Sequence, residues 1–127
     1  MPQQIALVVD DSMLIRHTVC RFLEQRGFSV ASATNGVEAM HILASVLPDL
    51  IVTDLMMPKM TGSELISAVK ANPRMARIPL VVLAGRRSAS KMKFEGRADY
   101  VIFKDIDIEE QLGKALELTL GQKTAVT

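Results

Sequence analysis

Five apolar runs of strand length punctuate this chain: Ile5 to Val9, Phe28 to Ala33, Asp49 to Asp54, Ile78 to Ala84 and Tyr100 to Phe103. Stretches of helical period alternate with them. That alternation is the strongest constraint in the sequence. Parallel strands need a long crossover between them, usually a helix, and the helices then bury both faces of the sheet. An α/β domain with a parallel sheet covered on both sides is expected.

The helical stretches carry their own boundaries. Ser12 is placed to cap a helix in which Ile15, Val19, Phe22 and Leu23 form one apolar stripe, and Gly27 ends it after Arg26. Phe28 to Ala33 alternates apolar with small or polar residues, as a half-exposed edge strand would. Asn35-Gly36 opens a second helix, expected to turn Val37, Met40, Ala44 and Leu47 inward and to end at Pro48. A short third helix turns Leu65, Ile66 and Val69 inward and closes near Asn72-Pro73. The last runs from about Asp107 to Gly121, with Ile108, Leu112, Ala115, Leu116 and Thr119 on its inner face. Gly85 to Gly96 offers few apolar anchors among its basic residues, so only one or two loose helical turns are expected there. Met13, Met40 and Met92 suit core or boundary packing, Cys20 a small core position, and His17 and His41 surface or boundary positions.

At 127 residues the chain is one domain's worth, expected to run to Gly121 with Gln122–Thr127 as a polar tail. Fifteen basic and fourteen acidic residues give a formal charge of +1. No Lys/Arg block forms the stripe that duplex binding would want, so nucleic acid is not expected as a direct partner. One cysteine cannot make an internal disulfide. Neither a signal peptide nor an apolar run of roughly 18 residues is visible. A cytoplasmic protein without a membrane partner is expected.

Two of the apolar runs end on acid. Ile5 to Val9 is followed by Asp10-Asp11, and the third run ends at Asp54. If those strands are neighbours, three carboxylates converge at one rim of the sheet. Like charges so close raise one another's pKa unless a cation compensates them. Such a cluster suits a hard divalent metal, most simply magnesium. A carboxylate beside that metal can act as a nucleophile toward phosphorus, which makes Asp54 a candidate phosphoacceptor.

Taken together, Asp10-Asp11 after the first run, Asp54 after the third, Met57-Pro58 to Gly62 beyond it, Ile78-Pro79 opening the fourth and Lys104 closing the fifth resemble the receiver domain of two-component response regulators. The resemblance covers essentially the whole chain. It implies a doubly wound five-stranded parallel sheet of order 2-1-3-4-5, the flavodoxin-like receiver fold, with ligands at the carboxyl ends of the strands. It also implies that Asp54 accepts a phosphoryl group from a histidine kinase, a phosphotransfer protein or a small donor such as acetyl phosphate. Asp10, Asp11, Asp54 and the backbone carbonyl of Met56 would hold magnesium, and Lys104 would supply a cation to the phosphate. Such a chain signals through contact with a downstream protein and is not a turnover enzyme.

Departures from the family pattern cluster in the second half. Ala84 falls where the family has a Ser or Thr whose hydroxyl bonds the phosphoryl group, which implies an atypical output switch. Val101 stands where an aromatic is common, and Tyr100, one position early, should point to the opposite face. Asp105 replaces the usual proline after the lysine, and the span from Ala84 to Tyr100 is a few residues short. Met56 cannot orient a hydrolytic water, so a slowly hydrolysing phosphoryl group is expected. The alternative function is a pseudo-receiver that binds its partner constitutively. A haloacid-dehalogenase-like phosphohydrolase would need an aspartate where this chain has Met56.

Overall fold

The computed structural model describes residues 4–55, 61–85, 98–104 and 107–120. Its strands are β1 (Ile5–Val9), β2 (Ser29–Ala33), β3 (Leu50–Asp54), β4 (Leu80–Ala84) and β5 (Tyr100–Phe103). The described helices are α1 (Met13–Gln25), α2 (Gly36–Leu43), α3 (Gly62–Ala71) and α4 (Ile108–Leu120). All four strand pairings are parallel, and the sheet order is β2-β1-β3-β4-β5. Residues 1–3, 56–60, 86–97, 105–106 and 121–127 lie outside the described residues, as do the expectations that fell on them.

The central strands are apolar throughout because both of their faces are covered. Alternate residues of one strand serve different cores. Leu7, Val9, Ile51, Leu80 and Val82 pack with Ala39 and Leu43 of α2 and with Leu65, Ile66 and Val69 of α3. Ala6, Val8, Leu50, Val52, Val81 and Leu83 pack with Val19, Phe22 and Leu23 of α1 and with Leu112, Ala115 and Leu116 of α4. Tyr100 joins the second core and Val101 the first, on opposite faces as expected.

Local signals set the helix ends. Ser12 Oγ accepts from the Ile15 N–H at 3.3 Å and caps α1. Gly27 ends it at φ +94°, a conformation that favours glycine. Thr61 and Glu64 form a reciprocal capping box at α3. At the opposite pole, where the first N–H groups of the strands emerge, aspartates act as strand caps. Asp49 Oδ2 accepts from the Ile5 N–H at 2.8 Å and Asp99 Oδ2 from the Leu80 N–H at 2.7 Å.

The structure corrects the expected face of α2. Its buried residues are Gly36, Ala39 and Leu43, and Met40 packs against the core as expected, whereas Val37 and Leu47 are about half exposed and Ala44 is exposed. The helix stops at Leu43, and the Ser45 and Val46 N–H groups both bond the Ile42 carbonyl, at 3.0 and 2.9 Å. A turn therefore replaces the final helical turn and carries Leu47 off the core. Met13, expected in core or boundary packing, is exposed. It occupies the first position of α1, ahead of the turns that face the sheet. β4 begins at Leu80 rather than Ile78, because the Ile78 N–H closes a turn onto the Met75 carbonyl. Leu43→Ala is expected to cost about 2 to 4 kcal/mol in urea denaturation and Leu47→Ala less than about 1 kcal/mol. Equal costs would contradict this α2 face.

Candidate functional site

The sheet order makes β1 and β3 neighbours, with Val9 opposite Thr53. Asp10, just past β1, and Asp54, the last residue of β3, therefore emerge side by side. Asp10 is fully buried, Asp54 nearly so, and Asp11 is exposed. One carboxylate oxygen from each of the three lies within 4.8 Å of the others. Lys104 follows β5 directly, and its main-chain N–H bonds the Ala84 carbonyl at 2.9 Å. From there its Nζ lies 2.9 Å from Asp54 Oδ1 and 3.1 Å from Asp10 Oδ2.

Main-chain groups fix the two buried carboxylates. The Ser12 N–H donates to Asp10 Oδ1 at 2.8 Å, an Asx turn that leads into α1. The Leu55 N–H donates to Asp54 Oδ1 at 2.7 Å. Arg16 Nη1 donates to the Asp10 carbonyl at 2.8 Å, so α1 grips the end of β1. Arg16 had no distinguishing signal in the sequence; its role follows only from the placement of α1 over the rim. The Asp-Asp-Ser run, by contrast, is a legible Asx-turn signal.

The electrostatics are unfavourable without a further cation. Burial is the chief cause that raises the Asp10 and Asp54 carboxyls above their ordinary 3.8, outweighing the Ser12 N–H at Asp10 and the Lys104 hydrogen bond at Asp54. Burial works to lower Lys104, but its hydrogen bond to Asp54 and the charge of Asp10 raise it above 10.5. Asp10 Oδ2 is buried and has the Lys104 ammonium, 3.1 Å away, as its one described partner. Three carboxylates facing one lysine, in an all-oxygen donor set, fit a hard divalent cation such as magnesium.

Ala84 ends β4, its side chain buried in the core shared with α2 and α3, and carries no hydroxyl. Met56 lies outside the described residues. His17 and His41 are exposed, and Cys20 is partly buried against the α1 core, where burial pushes its thiol up.

An open parallel sheet with an acidic cluster and a lysine at the carboxyl ends of its strands defines a class of signalling domain. The family model for the response regulator receiver domain matches residues 6–117, and the chain belongs to that family. It is 35% identical over 116 residues to the response regulator MprA of Mycobacterium sp. (strain KMS), covering 90% of this chain and 49% of that protein. It is 32% identical over 114 residues to the DNA-binding dual master transcriptional regulator RpaA of Synechocystis, covering 88% of this chain and 47% of that protein. The chain thus spans about half the length of these curated relatives. The chemotaxis response regulator CheY4 of Vibrio cholerae superposes with a TM-score of 0.82 at 30% identity, over 91% of this chain and 98% of that one.

Receiver domains are modules of two-component signalling, generally not turnover enzymes; they interact with histidine kinases or phosphotransfer proteins and bind magnesium in an acidic pocket. The expectation that nucleic acid is no direct partner gains no support, since one relative is described as DNA-binding. No described helix is long and apolar enough to cross a membrane.

A carboxyl raised in the native state holds its proton more tightly folded than unfolded. It favours the fold at low pH and works against it as pH rises through the native value. Asp54→Asn is therefore expected to raise the melting temperature in metal-free buffer at neutral pH. The gap should close at acid pH, where Asp54 is protonated in both states. Magnesium at ten times its Kd should stabilise the wild type by about 1.4 kcal/mol. Differential scanning calorimetry with EDTA and with magnesium checks both, and a lower melting temperature for metal-free Asp54→Asn would contradict this account of the site.

Proposed function

We propose that this chain is a phosphoacceptor receiver domain of the cytoplasm whose acceptor is Asp54. The observation that carries the reading is the Lys104 ammonium, held against Asp10 and Asp54 beside the three-carboxylate cluster. Both described contacts of the Asp54 carboxylate, from Leu55 and Lys104, fall on Oδ1. Oδ2 is left to attack phosphorus. With a phosphohistidine of a kinase or phosphotransfer protein as donor, an O–P bond forms, the N–P bond breaks, and the imidazole leaves to take up a proton.

Asp10, Asp11, Asp54 and the Met56 carbonyl would hold magnesium, which supplies positive charge to the phosphoryl oxygens. Lys104 supplies the second cation. It has two carboxylate partners before transfer and can reach a phosphoryl oxygen after it. Little covalent chemistry is asked of the protein, since phosphoryl transfer depends chiefly on positioning and charge.

Ala84 supports a changed output. A methyl group cannot donate the hydrogen bond that a hydroxyl would make to a phosphoryl oxygen, and a bond to a charged group contributes about 1.5 to 3 kcal/mol. The usual pull on the segment after β4 is then missing. Output by protein contact must use another lever, or the binding surface is constitutive, the reading that an unchanged partner affinity in Asp54→Asn would favour.

Incubation with magnesium and acetyl phosphate is expected to add one phosphoryl group by intact-protein mass spectrometry, and none to Asp54→Asn. No gain, together with failure to bind beryllium fluoride and magnesium, would overturn the acceptor role. Met56→Asn, which restores a side chain able to orient water, should shorten the lifetime of the acyl phosphate. An unchanged decay rate would remove Met56 from the explanation of slow hydrolysis.

A further inference from the structure

Successive main-chain N–H groups of a strand point to opposite neighbours. The Lys104 N–H bonds Ala84 of β4, so the Phe103 N–H and carbonyl face outward from the sheet. There Gln111 of α4 meets them. Its Oε1 accepts from the Phe103 N–H at 2.9 Å, and its Nε2 donates to the Phe103 carbonyl at 2.9 Å. The same Nε2 lies 3.2 Å from the Asp107 carbonyl. Asp107 in turn caps α4, its Oδ1 accepting from the Glu110 N–H at 3.1 Å. One carboxamide thus pairs with both outward groups of Phe103, as a neighbouring strand would, and ties them to the start of α4.

The residue after Phe103 is Lys104. Its ammonium sits on a flexible four-carbon stem, so where it reaches depends on where its main chain is fixed. The sheet holds that main chain on one side, through Ala84. The next residue is Asp105, which lacks the rigid ring of a proline. Gln111 supplies the restraint on the other side.

We propose that Gln111 is a positioning residue for phosphoryl transfer, its carboxamide fixing the Phe103–Lys104 main chain so that the Lys104 ammonium stays between Asp10 and Asp54. This rests on the reading of Asp54 as the acceptor. Gln111 touches neither the acceptor nor the donor and acts through Lys104 alone. Its loss changes the rate of transfer and leaves the three carboxylates, and hence metal binding, in place.

The test compares wild type with Gln111→Met, which keeps the length of the side chain without its amide, and Gln111→Glu, which keeps only the acceptor for the Phe103 N–H. Lys114→Ala, which loses a surface contact of 3.9 Å to Glu110, is the control for a general effect on α4. Each is phosphorylated with acetyl phosphate, its magnesium affinity is measured by calorimetry, and the Lys104 side-chain resonances are followed by NMR. Gln111→Met is expected to slow phosphorylation on the order of tenfold, within the ~100-fold that a misplacement of ~1 Å can cost. Its magnesium affinity should be unchanged and its Lys104 resonances moved toward those of a solvated lysine. Gln111→Glu should fall between Met and wild type, and Lys114→Ala should match wild type.

A wild-type rate in Gln111→Met, or unmoved Lys104 resonances, would overturn the proposal. If Gln111→Met does not fold, the same two readouts on Gln111→Glu decide. If the wild type itself takes no phosphoryl group, the acceptor reading fails separately. The Lys104 resonances then decide the placement alone: movement in Gln111→Met sustains it and no movement overturns it.

Discussion

The site depends on one ammonium group lying between two buried carboxylates. Asp10 follows β1, Asp54 ends β3 and Lys104 follows β5, so three strands must finish at the same level for the contacts of 3.1 and 2.9 Å to form. The level is set by register, with Val9 opposite Thr53, Asp54 opposite Leu83 and Ala84 opposite Phe103. A slip of one residue in any pairing would turn that strand's side chains to the wrong core. Packing on both faces of the sheet therefore does more than stabilise the fold. It sets the spacing of charges at the rim.

Much of this was legible in the residues. The continuous apolar character of Ile5–Val9 and Leu50–Asp54 announced strands covered on both faces, and the aspartates that end them announced a shared rim. What was hidden has physical reasons. α2 is short and rich in apolar residues, so its sequence is compatible with more than one inward face; Leu43 won over Leu47 because a turn at Ile42 ended the helix early. The exposure of Met13 reflects its place at the first turn of α1, before that helix meets the sheet. At the site, Asp10 and Asp54 could be found from their positions after strands, and Lys104 from the resemblance to receiver domains. Arg16 and Gln111 could not, because each bonds a main-chain group just outside its own helix, six or eight positions back, and sequence spacing carries no record of such a bond.

Under the proposed reading, chemistry and response are separable in this molecule. The acidic cluster and its lysine stand at the ends of β1, β3 and β5, whereas β4 ends on Ala84, which has no hydroxyl. The two bonds from Gln111 join the main chain beside Lys104 to α4.

The Gln111 carboxamide also bears on association. A sheet with two edges offers two rows of unpaired main-chain groups to another chain, and proteins protect such rows by covering or charging them. At Phe103 the row on β5 is already occupied by a side chain that mimics a strand. β2, at the opposite edge, is built from Ser29, Val30, Ala31, Ser32 and Ala33 and carries no charged residue. Strand addition, whether by a peptide or by a second copy, therefore meets a side-chain competitor at Phe103 on the β5 edge and has the more permissive template in β2.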